Sequence, residues 1–328
     1  MYIEDLKFSL WCDFVERSFL DDEFVDLIRE GTINGATSNP AIFKSAILTS
    51  QAYKEDIKEL KGKNPKDIYE AIAVKDIKKA AQKLLPLYEN GDDGFISIEV
   101  DPFLCDDAIA TIKEGKRLYE KIGMPNVMIK VPATDSGYEA MEVLLEEGIN
   151  VNATLIFSPT QAQKCLDAFK KGSDKCKNKI VPNAVISVFV SRFDRKLDAK
   201  LEEMGLPTAK TGIYNALKIY DLIENFGLEN VRCLFASTGV KGDNLEADYY
   251  IEELLCKNSI NTAPLNTIKY FVNSKEKLKE IKKQKCVDAF FEQLKIKKID
   301  IEKVYEELMQ EGVVSFKSAF KEILDTLA

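Results

Sequence analysis

Eight short runs rich in β-branched and aromatic residues recur along the chain, and sequence of helical character trails them. They are "KFSLWCDF" (7–14), "NGATSN" (34–39), "GFISIEVD" (94–101), "NVMIKVP" (126–132), "NVNATLIFS" (150–158), "AVISVFVSR" (184–192), "VRCLFAST" (231–238) and, weakest, "NSINTA" (258–263). Strands joined through helices pair in parallel, because a hairpin cannot connect them. Eight such units fit a closed (β/α)8 TIM barrel. An open doubly wound sheet is the competitor, and eight strands is already large for one. The clearest helix begins at Asn64 and Pro65, where proline suits a first turn, and Ile68, Ile72, Ile77, Ala81, Leu84 and Leu85 share its apolar face. Further helices are expected over 103–122, 136–147, 159–171, 208–226 and 244–255. No strand is read after Asn273. Residues 274–328 read as amphipathic helices packed on the barrel, and 1–328 as a single domain.

Composition removes several functions. The 328 residues are 45% hydrophobic and 30% charged, enough for a full core. The net charge is −8 with no basic block, so no nucleic-acid partner is expected. Seven cysteines, an odd number with no CxxC pair, read as reduced thiols of a cytoplasmic protein. The N-terminus lacks the form of a signal peptide, and no run approaches the ~20 apolar residues of a membrane span. There is no histidine. Triads built on imidazole, imidazole bases and histidine-ligated metals are thereby excluded. Neither GxGxxG after a strand nor GxxxxGK[ST] occurs. No cofactor and no metal are expected.

What remains is polar chemistry at the strand ends, where a barrel keeps its reactive groups. The ends carry Asp13, then Thr37-Ser38-Asn39, Glu99 with Asp101, Lys130, Asn152 with Thr154, Ser187 with Arg192, and Ser237-Thr238. Lys130 closes an otherwise apolar strand, and a buried ammonium is costly unless paired or neutral. A neutral lysine attacks a ketone to form a Schiff base, and a carboxylate can move a hydroxyl proton while a carbon–carbon bond breaks. Plain structural readings stand beside these. A strand-end lysine can snorkel at the surface, "SNP" (38–40) can be only a turn, Asp101-Pro102 fits an N-cap and first turn, and Arg192 fits a surface ion pair. The arginine carries weight because the chain has only six, and a planar fork suits phosphate.

"GATSNPAIFKSAI" (35–47), "NVMIKVPAT" (126–134), "INVNATLIFSPTQA" (149–162), "VISVFVSRFD" (185–194) and "FASTGVKGDN" (235–244) together resemble transaldolase, in that family's order. The last motif is most similar to the plant- and actinobacterial-like branch. The resemblance implies transfer of a dihydroxyacetone unit between sugar phosphates through a lysine Schiff base. Lys130 matches the Schiff-base lysine, Asp13 the acid/base aspartate, Glu99 a glutamate working with a bound water, and Thr154 the threonine holding that water. Asn39 and Asn152 match substrate-positioning amides, with Thr37 beside them, and Ser187 and Arg192 lie where the family meets the substrate phosphate. The more familiar members place a second arginine after the seventh strand. Here that loop offers Ser237 and Lys241. Two other functions stay open at this point, an aldolase that releases dihydroxyacetone and a non-catalytic barrel that binds sugar phosphates. A monomer or homodimer is expected.

Overall fold

The computed structural model describes residues 2–242, 244–274 and 284–328. Its centre is a closed parallel barrel of eight strands in sequence order. These are β1 (Ser9–Cys12), β2 (Gly35–Thr37), β3 (Phe95–Glu99), β4 (Val127–Pro132), β5 (Asn150–Ile156), β6 (Ala184–Phe189), β7 (Val231–Ala236) and β8 (Ile260–Ala263). Pairing of β8 with β1, Trp11 against Thr262, closes the ring and excludes the open sheet. Every expected strand is present, generally trimmed at its ends.

Around the barrel run α1 (Arg17–Asp21), α2 (Glu23–Arg29), α3 (Pro40–Thr49), α4 (Lys54–Glu59), α5 (Pro65–Glu89), α6 (Ala108–Ile122) and α7 (Asp135–Glu146). They are followed by α8 (Pro159–Lys175), α9 (Ser191–Glu203), α10 (Thr211–Phe226), α11 (Tyr249–Glu253), α12 (Leu265–Asn273), α13 (Gln284–Ile296) and α14 (Ile301–Leu327). The sequence starts several of them in recognisable ways. Asn39 caps α3, Asn64 caps α5 and Ser158 closes a capping box with Gln161 on α8, each before a proline at the first turn. The helix expected over 103–122 is split. Asp101 caps a 3₁₀ turn at Pro102–Leu104, and α6 starts afresh at Ala108, capped by Asp107. The helix expected over 244–255 shortens to α11.

The run 184–192 was expected to be strand throughout, but β6 ends at Phe189 and the chain turns directly into α9. Val190 makes that turn at φ −104°, ψ −71°, without proline or glycine, which is why the sequence gives no warning. Arg192 therefore sits in the first turn of a helix and not on a strand. Residues 275–283 of the expected C-terminal helices lie outside the described residues. The rest of that extension is α13 and α14, and α14 packs on α3, α5 and β5. No described helix is long and apolar enough to cross a membrane.

Strand alternation divides the core in two. Leu10, Cys12, Ile96, Ile98, Ile129, Val131, Val151 and Ile186 face outward into the cluster that holds the helices on. Trp11, Phe95, Met128, Val185, Leu234 and Ile260 face inward and fill the lower barrel. Gly35 permits this filling, because a Cβ there would stand 2.5 Å from the Trp11 indole. With the lower barrel packed by apolar side chains, the polar inward residues collect at the upper, C-terminal end.

Candidate active site

Lys130 occupies the centre of that end, at the position in β4 that pairs with Glu99 of β3 and Asn152 of β5. It is 5% exposed. Its Nζ donates to the Ser38 carbonyl at 3.2 Å and stands 3.7 Å from Glu99 Oε2, an ion-pair distance longer than a hydrogen bond. The Phe316 ring centroid, from α14, lies 5.8 Å from the same nitrogen. Among the described residues, neither Glu99 carboxylate oxygen nor the Thr154 hydroxyl has a hydrogen-bond partner, although both groups are buried. Burial raises the Glu99 carboxyl to about 7 against the pull of Lys130. A group poised there can both give and take a proton near neutrality.

Asp13 follows β1 directly. Thr37 Oγ1 donates to Asp13 Oδ1 at 2.7 Å and lies 2.7 Å from Thr262 Oγ1. Because the single Thr37 proton is committed to Asp13, Thr262 must donate to Thr37. Burial is the largest influence on Asp13 and raises its pKa, while Lys130, Thr37 and Asn39 favour the anion. Asn39 serves two purposes, since its Oδ1 caps α3 by accepting from Ile42 N at 3.1 Å. Asn152 is clamped at both ends of its amide. Its Nδ2 donates to Ser97 Oγ at 2.9 Å, and its Oδ1 accepts from Ser187 Oγ at 2.6 Å.

A cavity of about 170 Å³ opens over these groups, lined by Asp13, Thr37, Asn39, Lys130, Ser187 and Arg192, with Phe189, Ser237, Thr262, Ser315, Phe316 and the small Ala41 and Ala236 completing the wall. Arg192 lies with its guanidinium 5.0 Å from the Phe189 ring centroid. Among the described residues, no carboxylate comes within ion-pair distance of it. Burial, and then Arg195, push its pKa down. Glu311 pulls the other way but makes no ion pair with it. A half-buried cation with no carboxylate in contact among the described residues, at the rim of a cavity lined by an amine and the Asp13 carboxyl, suits an anionic ligand.

The family pattern of transaldolase/fructose-6-phosphate aldolase matches residues 10–327. The chain belongs to this family. A transaldolase from Campylobacter jejuni subsp. doylei is 50% identical, with 98% of this chain and 99% of that one covered. A Helicobacter pylori (strain P12) transaldolase is 45% identical, with 97% and 98% covered. The strand-end residues matched to transaldolases by motif thus stand together, with two qualifications. Glu99, Asn152 and Thr154 are buried beside the cavity instead of lining it, and Lys241 is exposed and absent from its wall. Ser237 does reach the wall, from a left-handed conformation at φ +56°.

Sequence reading missed six wall residues, of which Ala41 and Ala236 are small apolar side chains that carry no chemical signal. Thr262 follows the same rule as the others, a polar residue near a strand end, but its strand was the faintest. Phe189 looked like ordinary strand core. Ser315 and Phe316 sit on a helix whose pattern predicts only a buried face, and nothing local says that this face overhangs a lysine.

Proposed function

We propose that Lys130 is the nucleophile of a transaldolase reaction in which sedoheptulose 7-phosphate and glyceraldehyde 3-phosphate become erythrose 4-phosphate and fructose 6-phosphate. The activity follows from the family and from relatives of nearly equal length. The observation that carries the residue assignment is a buried amine held 3.7 Å from an otherwise unpartnered carboxylate at the barrel's C-terminal end.

The neutral amine adds to the ketose C2 carbonyl. Glu99, through a water held by Thr154, protonates the resulting hydroxyl, which leaves as water to give the iminium. Asp13 then takes the C4 hydroxyl proton, the C3–C4 bond breaks, and the aldose product departs. The electron pair stays on the lysine-bound three-carbon unit as an enamine. An incoming aldose accepts that carbon, its carbonyl oxygen takes the proton back from Asp13, and hydrolysis of the iminium frees Lys130. Asn39, Asn152 and Thr37 orient the donor hydroxyls. Arg192 binds the phosphate with Ser187 and Ser237. Lys241 would join only after its loop moves inward.

The same reading makes this a cytoplasmic enzyme, monomeric or homodimeric, in which 1–328 acts as one domain. The plant- and actinobacterial-like assignment rests on "ASTGVK" alone, and the Campylobacter and Helicobacter relatives lend it no support. The test is borohydride reduction in the presence of fructose 6-phosphate, read by peptide mass. The Lys130 peptide should gain the reduced three-carbon adduct, and Lys130→Ala should abolish both adduct and turnover. An unmodified Lys130 peptide in an active enzyme would remove the assignment. An unmodified peptide in an inactive protein would point to the non-catalytic barrel.

A further inference from the structure

We propose that Phe316, carried on the C-terminal helix, shields the three-carbon unit on Lys130 from solvent and so decides between transfer and release. The proposal rests on Lys130 being the Schiff-base lysine.

The polar neighbours of the amine, the Ser38 carbonyl and Glu99, come from β2–α3 and β3. Phe316 comes from a different part of the chain. Its ring is 5% exposed, its centroid is 5.8 Å from Nζ, and it forms part of the cavity wall. Two features bring α14 close enough for this. Gly312, one turn before Phe316 and on the same helix face, has no side chain where a Cβ would stand 2.9 Å from Leu155 Cδ2 and 3.4 Å from Arg192 Nη1. Leu155 itself adopts φ +60°, unusual for a residue with a branched side chain, at an irregularity in the β5–β6 register. Helix and strand therefore meet at a close approach beside the reactive centre, and the next turn of the helix delivers the ring.

The enamine has two fates. With an aldose, a carbon–carbon bond forms and the acceptor's carbonyl oxygen takes a proton. With water, the enamine carbon takes a proton and regenerates an iminium. Hydroxide adds to the iminium carbon, the C–N bond breaks, dihydroxyacetone leaves, and the amine returns to Lys130. The net consumption is one water. Transfer also ends in iminium hydrolysis, so the step peculiar to release is protonation of the enamine carbon, and an apolar ring against the adduct keeps water from that carbon. Its π face also suits the iminium cation, which forms in both the donor and acceptor halves of transfer.

The experiment compares dihydroxyacetone release from fructose 6-phosphate with conversion of erythrose 4-phosphate, with borohydride trapping in parallel. Phe316→Leu keeps an apolar side chain and removes the ring; Phe316→Met is read in the same way and covers a folding failure of the first. Phe320→Leu is the control. It lies one turn further along α14, packed against Tyr69 and Phe103 with ring centroids at 5.0 and 6.2 Å, so it loosens the helix without touching the ring over Lys130. The release-to-transfer ratio should rise on the order of tenfold in the Phe316 variants and stay unchanged in Phe320→Leu, with the Lys130 adduct trapped in all of them. An unchanged ratio in a trapped, folded Phe316 variant overturns the proposal, as does an equal rise in Phe320→Leu. Failure to trap Lys130 in the unsubstituted enzyme overturns the parent assignment instead.

Discussion

Arg192 is half-buried in the first turn of α9 and, among the described residues, has no carboxylate within ion-pair distance. Hydrogen bonds to charged groups contribute about 1.5–3 kcal/mol each, and a guanidinium can make two to a phosphate. Arg192→Ala should therefore lower kcat/KM for fructose 6-phosphate by roughly 10- to 10³-fold. Turnover of unphosphorylated fructose, measured alongside, should hardly change; equal harm to both sugars would mark Arg192 as structural. Glu99 makes a second prediction at this scale. Its carboxyl is raised to about 7, and the proposed step uses the protonated form. Single-turnover imine formation should thus fall as pH rises through about 7, because the folded-state group loses its proton there. Glu99→Gln should slow this step by roughly 10²-fold and flatten that limb, since general acid help is worth about 10²–10⁴. A limb that persists in Glu99→Gln belongs to another group.

Elements decide how closely these residues approach one another. Strand pairing sets Glu99, Lys130 and Asn152 side by side, and helix α14 closes over them. Gly312 is where that closure is tightest. Gly312→Ala puts a methyl within 2.9 Å of Leu155 and 3.4 Å of Arg192. Overpacking costs about 1–3 kcal/mol, while alanine regains about 1 kcal/mol of helix propensity. The expected outcome is a small loss of thermal stability with a several-fold higher KM for the phosphorylated donor, because the methyl displaces the arginine. Calorimetry and steady-state kinetics check it, and a stabilised variant with unchanged KM would count against the close approach. The capped helix starts at Asn39, Asn64 and Ser158 were readable from sequence because a cap and a proline are local chemistry. The start of α9 was not, since Val190 turns the chain with no local signal, and the turn is held by bonds from Val190 N and Ser191 N to the carbonyls of Ala236 and Ser237, more than forty residues on.

The whole molecule separates stability from chemistry along the barrel axis. At the N-terminal end, Arg232 Nη1 meets Asp93 Oδ1 at 2.5 Å and its Nη2 reaches Ser9 Oγ at 3.1 Å, while Trp11 Nε1 donates to Asp93 Oδ2 at 2.9 Å. This network seals the lower barrel at the opposite end from Lys130. Breaking a mostly buried pair from one side costs about 3–5 kcal/mol, and somewhat less where the arginine is partly wetted. Asp93→Asn should therefore lower the melting temperature by several degrees and leave kcat within about twofold. A fall in kcat at temperatures where the variant is fully folded would show that the two ends are coupled.

By itself the sequence determined the repeating unit and the chemical inventory. Period-two apolar runs joined by helices admit few architectures, and a chain without histidine leaves lysine and carboxylates to do carbonyl chemistry. It also placed Lys130, Asp13, Glu99 and Asn152 on or just after barrel strands, because alternation and position within a strand are local properties, whereas Arg192, read as a strand end, lies in the first turn of α9. Only the tertiary structure decided which end groups meet, since closure of β8 on β1 brings Thr262 to Thr37 and hence to Asp13 across 225 residues of chain. It excluded Lys241 from the cavity wall, because an exposed loop can turn away without any change in sequence pattern. It alone set Phe316 over the amine. An amphipathic helix announces that it will bury a face, but what lies beneath that face is fixed by packing between segments nearly two hundred residues apart.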